Sequence, residues 1–129
     1  MTEHELQNQI RVALSDYGRV FRINAGKFWQ GKLRGNILTD LRAIEGLPEG
    51  FPDLLFIGEN GRVAFIEVKT PAGRIRESQK KFMDFLYDYE HRVGVARSVE
   101  DAVSIATGEK ILLPWRGILY PEEKKAFIR

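Results

Sequence analysis

The chain contains no cysteine, and none of its apolar runs is long. The missing cysteine excludes disulfides and thiolate metal sites, so a fold of 129 residues must be held together by its core. No stretch approaches the roughly 18 apolar residues that a membrane span needs. The first residues lack the features of a signal peptide, which favours a cytoplasmic location. We expect one domain over residues 1–129, with its core in about residues 1–108.

The chain also lacks a large excess of either charge, because its formal net charge is only +2 at pH 7. Its distribution along the chain is uneven. Asp40 is the only acid between residues 19 and 42, and Arg62 is the only base between residues 43 and 67. A basic arm beside an acidic pocket suits a protein that binds a phosphate backbone with cations and a metal ion with carboxylates. Random clustering of surface charge would give the same pattern, and charge alone does not separate the two interpretations.

Hydrophobic periodicity predicts a mixed α/β fold. An apolar stripe from Leu6 to Tyr17 predicts a helix over about residues 3–17, with Thr2 and Glu5 at capping-box spacing. We predict a loop or hairpin over 24–42 and leave the tail from 110 to 129 unassigned. The other expected elements are strands over about 20–24, 53–58, 62–69 and 93–97, and helices over about 77–90 and 98–107. This order predicts a mixed sheet covered by helices on both sides.

The helix expected over residues 77–90 carries several aromatic residues. We predict that it turns Phe82, Phe85, Leu86 and Tyr89 toward the core. Gln79 lies one turn before Phe82 on the same stripe, so its amide must find a partner. The strand ends that carry Glu67 and Lys69 are plausible neighbours.

Two short acidic motifs frame a predicted hairpin. Phe51-Pro52-Asp53 opens one apolar strand, and Glu67-Val68-Lys69 ends the next strand after a reversal at residues 59–61. A two-residue turn at Asn60-Gly61 would place Asp53 and Glu67 on opposite faces. A three-residue loop, a type I turn with Gly61 left-handed in a bulge, would oppose them on one face. Sequence permits both turns, and a slip of one residue would destroy any site made by the two acids.

We favour the three-residue loop because the rest of this hairpin is apolar on both faces. Ionised Asp53 and Glu67 at the end of buried strands would be costly without a cation. Opposed residues have β-carbons about 4.5–5.5 Å apart, so the two carboxylates could share one ion. Oxygen ligands without histidine or cysteine favour Mg²⁺ or Mn²⁺ over Zn²⁺. Lys69 faces the same way as Glu67 and could orient or deprotonate an attacking water, or it could merely neutralise Glu67.

Other polar residues are candidates for supporting roles. Glu3 shares a helical face with Leu6 and Ile10, so its carboxylate could reach a metal ion through water or belong to a frayed helix end. Cationic and polar residues in the basic stretch and before the second predicted helix are candidates for DNA backbone contact: Arg22, Asn24, Lys27, Lys32, Arg34, Arg74 and Arg76. Phe28 and Trp29 could stack on a base, but packing on the core or on a second subunit is the favoured interpretation.

With these residues in place, the chain resembles the PD-(D/E)XK nuclease superfamily. More narrowly, it resembles the virus-type replication-repair nuclease (VRR-NUC) family in its small stand-alone phage or bacterial form. The resemblance spans nearly the whole chain to about Gly108. It rests on the order and spacing of short motifs: Glu3, Gly50-Phe51-Pro52-Asp53, Glu67-Val68-Lys69, Gln79 and the segment 93–98. Residues 32–49 do not match the family pattern.

The resemblance implies a restriction-endonuclease-like core and a metal ion, Mg²⁺ or Mn²⁺, held by Asp53, Glu67 and the carbonyl oxygen of Val68. It implies that Lys69 completes the catalytic set and that Glu3 and Gln79 have roles in it. It also implies cleavage of branched or flapped DNA by a homodimer similar to Holliday junction resolvases, in a bacterium or a phage-infected cell. No membrane partner and no nucleotide cofactor are expected.

Three hypotheses of function remain open at this level. The first is a dimeric, structure-specific DNA endonuclease with paired sites, for which the tail over 109–129 could form the interface. The second is a monomeric nuclease that acts on flaps, ends or nicks. The third is a non-catalytic DNA-binding module, and the intact set of Asp53, Glu67 and Lys69 counts against it.

Overall fold

The computed structural model of the chain describes residues 1–119, without the side chains of residues 27, 28, 118 and 119. These residues form three α-helices, one short 3-10 helix (Glu59–Gly61) and eight strands. The helices are α1 (Glu3–Leu14), α2 (Glu77–Asp88) and α3 (Val99–Thr107). The strands are β1 (Gly18–Arg22), β2 (Lys27–Arg34), β3 (Ile37–Glu45), β4 (Leu54–Gly58), β5 (Val63–Val68), β6 (Arg92–Ala96), β7 (Ile111–Leu113) and β8 (Gly117–Leu119). Within this part of the chain, no helix is long and apolar enough to cross a membrane.

Six of the strands form one mixed sheet in the order β1-β4-β5-β6-β7-β8. The first three pair antiparallel, β5, β6 and β7 run parallel, and β8 returns antiparallel. The sequence-based expectation of a mixed sheet is therefore confirmed. Strands β7 and β8 come from the tail that the sequence left unassigned, and Ile111 and Leu113 are buried.

The core lies on both faces of the sheet, as predicted. On one face, α1 and α3 bury Leu6, Ile10 and Ile105 against alternate residues of β4 and β5. On the other face, α2 buries Met83 and Leu86 against residues of β6 and β7. Because side chains alternate between the faces of a strand, each central strand contributes to both layers.

Two predictions about the helices are wrong in detail. Helix α1 ends at Leu14 rather than near residue 17, and Tyr17 is exposed. On α2, Phe85 and Tyr89 are 48% and 68% exposed, and Met83 occupies the core instead. The inward stripe of α2 follows Gln79, Met83 and Leu86, at spacings of four and three residues, so Phe85 lies beside the stripe. Phe85 and Tyr89 stack on each other at 4.6 Å between ring centroids.

The register of the β4–β5 hairpin is the one predicted for a three-residue loop. Leu55 pairs with Phe65, and the backbone N–H of Gly58 donates to the carbonyl of Arg62 at 2.8 Å. The turn itself differs from the prediction, because Asn60 (φ 59°) as well as Gly61 (φ 71°) is left-handed, which a type I turn does not allow. Asparagine tolerates this conformation better than most residues, so the register survives.

Residues 27–45 form a separate antiparallel hairpin, one of the two structures predicted for residues 24–42, and its second strand continues to Glu45. We call strands β2 and β3 with their turn the hairpin arm. Its strands pair with each other, with a register shift between Gln30 and Lys32, and contact little else. At its base, Ala25 bridges Leu47. Trp29 is exposed on the arm rather than packed on the core, which contradicts the favoured interpretation for that residue so far as the core is concerned.

Candidate active site

Asp53, Glu67 and Lys69 meet where β4 begins and β5 ends. The backbone fixes this meeting: the carbonyl of Asp53 accepts from the N–H of Ile23 at 2.8 Å, which continues the β1–β4 ladder. The Asp53 side chain crosses to the neighbouring strand, where Oδ2 accepts from the N–H of Val68 at 2.9 Å. The register therefore brings both carboxylates to one end of the hairpin, as the sequence predicted.

Glu67 is the most deeply buried acid of the site, with a side chain 1% exposed. Its Oε2 accepts from Nε2 of Gln79 at 2.9 Å and lies 3.9 Å from Nζ of Lys69. Its Oε1 is buried and has no hydrogen-bond partner among the described residues. One oxygen of this carboxyl group is thus held by Gln79, and the other accepts no hydrogen bond from the described residues.

The surroundings of Glu67 favour its neutral form in the metal-free protein. Burial, helped by the nearby carboxylate of Asp53, raises the pKa of Glu67 from 4.5 to about 9. Lys69 acts in the opposite direction, but at 3.9 Å it does not outweigh the other two effects. Glu3 also raises this pKa, which places its carboxylate within electrostatic reach of Glu67.

Gln79 connects the start of α2 to Glu67. Its Oε1 accepts from the N–H of Arg76 at 2.8 Å, and its Nε2 donates to Glu67. A backbone N–H is only a donor, so the atom facing Arg76 must be the amide oxygen, and the NH₂ group must face the carboxyl group. The partner that the sequence demanded for Gln79 is therefore Glu67.

A cleft of about 430 Å³ lies beside Asp53. Its polar walls come from α1, from the end of β1 and from the start of β4: Glu3, His4, Gln7, Arg22, Asn24 and Asp53. Glu3, Arg22 and Asn24 were predicted as site residues, and the structure brings all three to this cleft. Gln7 was not predicted, although its position between Leu6 and Ile10 marks it as a polar residue on a buried face.

The other predicted DNA-binding residues lie away from the cleft walls. Lys32 and Arg34 are exposed on the hairpin arm, where Arg34 lies 3.7 Å from Asp40. Arg74 and Arg76 are exposed in the segment between β5 and α2. The side chain of Lys27 lies outside the described residues.

Two further residues, Gly50 and Arg97, support the site; both lie in segments that carry the family resemblance, but no role was predicted for either. Gly50 has a φ of 93°, and a β-carbon there would collide with the backbone of Ser78 next to Gln79. Only glycine lets the Gly50-Phe51-Pro52-Asp53 segment approach α2 so closely. Arg97 donates to the carbonyls of Thr70 and Gly73 at 2.7 and 2.8 Å, which fixes the chain just after Lys69.

The donor set fits a hard divalent cation. Asp53 and Glu67 supply carboxylate oxygens, and the unpartnered, buried Oε1 of Glu67 is the atom that a cation would satisfy. Within residues 1–119, no three histidine or acidic side chains converge on one point. A cation here would therefore need a main-chain oxygen or water as well, as Mg²⁺ commonly does.

The mixed sheet flanked by helices has the architecture of a restriction-endonuclease-like core, and the strand-end acids with a lysine two residues on have the order of the PD-(D/E)XK pattern. A family model, the VRR-NUC domain, matches residues 2–100. The chain belongs to the VRR-NUC family, whose domain is a nuclease of the PD-(D/E)XK type that acts on DNA. A search of curated proteins finds no match to the chain.

Proposed function

We propose that the protein is a metal-dependent, structure-specific DNA endonuclease that hydrolyses phosphodiester bonds in branched DNA, as Holliday junction resolvases do. One observation carries the chemistry. Half-buried Asp53 and fully buried Glu67 meet at one strand end, where Lys69 lies 3.9 Å from one Glu67 oxygen and no described residue hydrogen-bonds the other. Asp53 also lines a cleft that holds Arg22. Family membership supports the nuclease activity, and the branched substrate is our extension of it.

The residues that would hold the cation are Asp53, Glu67 and, through its carbonyl oxygen, Val68. Mg²⁺ and Mn²⁺ match these oxygen donors. When bound, such an ion acts as a Lewis acid on the scissile phosphate. The metal requires Glu67 to lose its proton, so ion binding and the ionisation of Glu67 are coupled.

The other side chains have roles that follow from their positions. Lys69, which is nearly buried, can orient the attacking water and stabilise the negative charge that develops on the phosphate oxygens. Gln79 acts through Glu67 as a positioning residue, since it fixes one carboxyl oxygen at 2.9 Å. Glu3 at the cleft wall can accept a hydrogen bond from water that enters the site.

DNA would enter through the cleft and continue over the basic surface. Arg22 and Asn24 line the cleft, and Lys27, Lys32 and Arg34 extend along the hairpin arm that begins beside it. Arg74 and Arg76 lie on the far side of Lys69 along the chain and could contact the same backbone. A homodimer would place two such sites on opposed strands of a junction.

A panel of DNA structures with identical arm sequences tests this function. Four-way junction, flap, fork, duplex and single strand are incubated with Mg²⁺, with Mn²⁺ and with a chelator. We expect paired, symmetric nicks in the junction with either metal, little cutting of duplex, and none with the chelator. If duplex DNA is cut as fast as the four-way junction, the proposed structure specificity is wrong. If no substrate is cut with either metal, the proposed nuclease activity is wrong.

The mass of the protein in solution tests the dimer separately. A dimer mass with coincident nicks on opposite strands supports junction resolution. A monomer mass with single nicks near a flap or an end would favour the alternative of an end-acting nuclease.

A further inference from the structure

Gln7 is a buried polar residue that forms no side-chain hydrogen bond with the described part of the chain. Its side chain is 7% exposed, and its Oε1 is buried without a hydrogen bond among the described residues. Leu6 and Ile10, its neighbours on the inward face of α1, are packed in the core. An unpartnered acceptor destabilises a folded protein, and methionine or leucine would fill similar space without that penalty. Stability therefore does not explain a glutamine at this position.

The position of Gln7 in the fold indicates its function. It is one of the residues that line the cleft of about 430 Å³, together with Glu3 one turn earlier on α1 and with Arg22, Asn24 and Asp53. The volume is within the range of pockets that hold a small ligand or part of a larger one. Gln7 thus has an open polar space beside it rather than a protein partner.

The chemistry of the cleft indicates the kind of group that Gln7 meets. Glu3 and Asp53 present carboxylates, so a bound phosphodiester needs donors on the remaining wall. Arg22 supplies a cation there, and Asn24 supplies an amide. Oε1 is the buried end of the Gln7 amide, and no described residue hydrogen-bonds the NH₂ group, so this group can donate to an anionic oxygen in the cleft. A DNA backbone offers only acceptor oxygens, which an amide NH₂ matches.

We propose that Gln7 is a substrate-contacting residue whose side-chain amide donates to a phosphate oxygen of the DNA strand in the cleft, beside Arg22 and Asn24. This inference rests on the proposed DNA-cleaving function and adds a contact at the same site. Bound DNA then gives the NH₂ group of Gln7 an acceptor, while the buried Oε1 stays without a donor because phosphate oxygens only accept.

The variant Gln7→Met tests this contact, because it keeps the side-chain length and removes both polar atoms. Gln9→Met is the matched control, since Gln9 is exposed two residues further along α1. Binding of a labelled four-way junction is measured without divalent metal, and cutting and thermal stability are measured separately. We expect Gln7→Met to be at least as stable as wild type, to bind DNA about tenfold more weakly and to raise KM more than it lowers kcat. Unchanged affinity and KM in a folded Gln7→Met would overturn the inference.

A measurement on the wild-type protein covers the case in which Gln7→Met loses stability. The side-chain amide signal of Gln7 is followed by ¹⁵N NMR while a short phosphorothioate oligonucleotide is added. We expect this signal to shift with the same midpoint as DNA binding, and a signal that stays in place would refute the contact. If wild type binds and cuts no DNA, the proposed function fails. If wild type cuts and Gln7→Met cuts with the same KM, only this inference fails.

Discussion

Two buried glutamines face the candidate site from two helices, and their surroundings are opposite. Gln79 on α2 is 4% exposed and uses both ends of its amide, one on the backbone of Arg76 and one on Glu67. Gln7 on α1 is 7% exposed, and no residue in the described range 1–119 donates to its oxygen. The amide of Gln79 is thus hydrogen-bonded at both ends, whereas the oxygen of Gln7 is left unpaired within that range.

This difference divides the site into two halves. The closed half comprises Glu67, Lys69 and Gln79, whose side chains are nearly buried and hold one another. The open half comprises Glu3, Gln7, Arg22 and Asn24 around the cleft. A closed half keeps reacting groups in fixed positions before substrate arrives, and an open half leaves polar groups for the substrate to satisfy. We expect changes in the closed half to affect kcat and changes in the open half to affect binding.

The largest expected effect follows from removing Lys69. We predict that Lys69→Ala lowers the rate of DNA cutting by about 10²–10⁴-fold, because the attacking water and the charged phosphate lose their only nearby ammonium in the closed half. Affinity for junction DNA, measured with Ca²⁺ in place of Mg²⁺, should change little. Lys81→Ala, on the exposed side of α2, is the control. A Lys69→Ala protein that cuts at the wild-type rate would show that Lys69 only neutralises Glu67.

The next effect concerns Gln79. We predict that Gln79→Leu lowers activity about 10–100-fold, since the residue that orients a metal ligand is lost. It should also destabilise the metal-free protein by about 1–3 kcal/mol, because Glu67 and the N–H of Arg76 lose their partner. Chemical denaturation compares it with Gln7→Met, which removes an amide of the same size without breaking a bond. Equal losses of stability in the two variants would erase the distinction between the halves.

Much of the closed half could be predicted from sequence, because strand periodicity controls it. The alternation of residues in β4 and β5 gives the relative facing of Asp53 and Glu67 once the loop length is chosen, and the observed register agrees with the choice. The place of Gln79 on a helical stripe predicted that its amide needs a partner, and the family resemblance implied its role in the site. The individual turn angles were not predicted, since the left-handed Asn60 is compatible with the same register.

Three residues of the open half, Glu3, Arg22 and Asn24, were candidates from the sequence, but the cleft that joins them was not predicted because contacts across the fold create it. Gln7 could have been noticed as a polar residue on a buried stripe, but its lack of a partner is visible only when the cleft is present. The contacts of Arg97 join residues more than 20 positions apart, and no local pattern announces them. The aromatic residues of α2 misled the prediction, because Phe85 and Tyr89 stack on each other at the surface.

A third prediction uses the proton held by the closed half. The pKa of Glu67 is raised from 4.5 to about 9 by burial and by Asp53. Between these two pH values the folded metal-free protein keeps a proton that the unfolded chain releases. Its free energy of unfolding should therefore fall as pH rises, by at most about 1.4 kcal/mol per pH unit.

Chemical denaturation from pH 5 to pH 9 in the presence of a chelator measures this slope. Glu67→Gln should flatten it, because glutamine cannot titrate, while Glu49→Gln in an exposed loop should leave it in place. Mg²⁺ should raise the melting temperature more at pH 8 than at pH 6, since the ion competes with the proton. Stability that rises with pH over this window in metal-free wild type would contradict the assignment of the proton.

The smallest expected effect tests whether the open half continues onto the hairpin arm. Each phosphate contact that is lost should reduce the slope of log affinity against log salt by about 0.9. We predict that the double variant Lys32→Ala/Arg34→Ala reduces this slope by about 1–2 and weakens junction binding several-fold near physiological salt. Asp40 lies 3.7 Å from Arg34 and already offsets part of its charge. A reduction of the slope equal to one contact therefore agrees with the prediction as well as a reduction equal to two.

The double variant Arg62→Ala/Lys81→Ala is the control. It removes the same charge from the far turn of β4–β5 and from α2 and should leave the slope unchanged. Equal slopes for both double variants would confine DNA to the cleft, and kcat should be unaffected in either case because neither pair contacts the closed half.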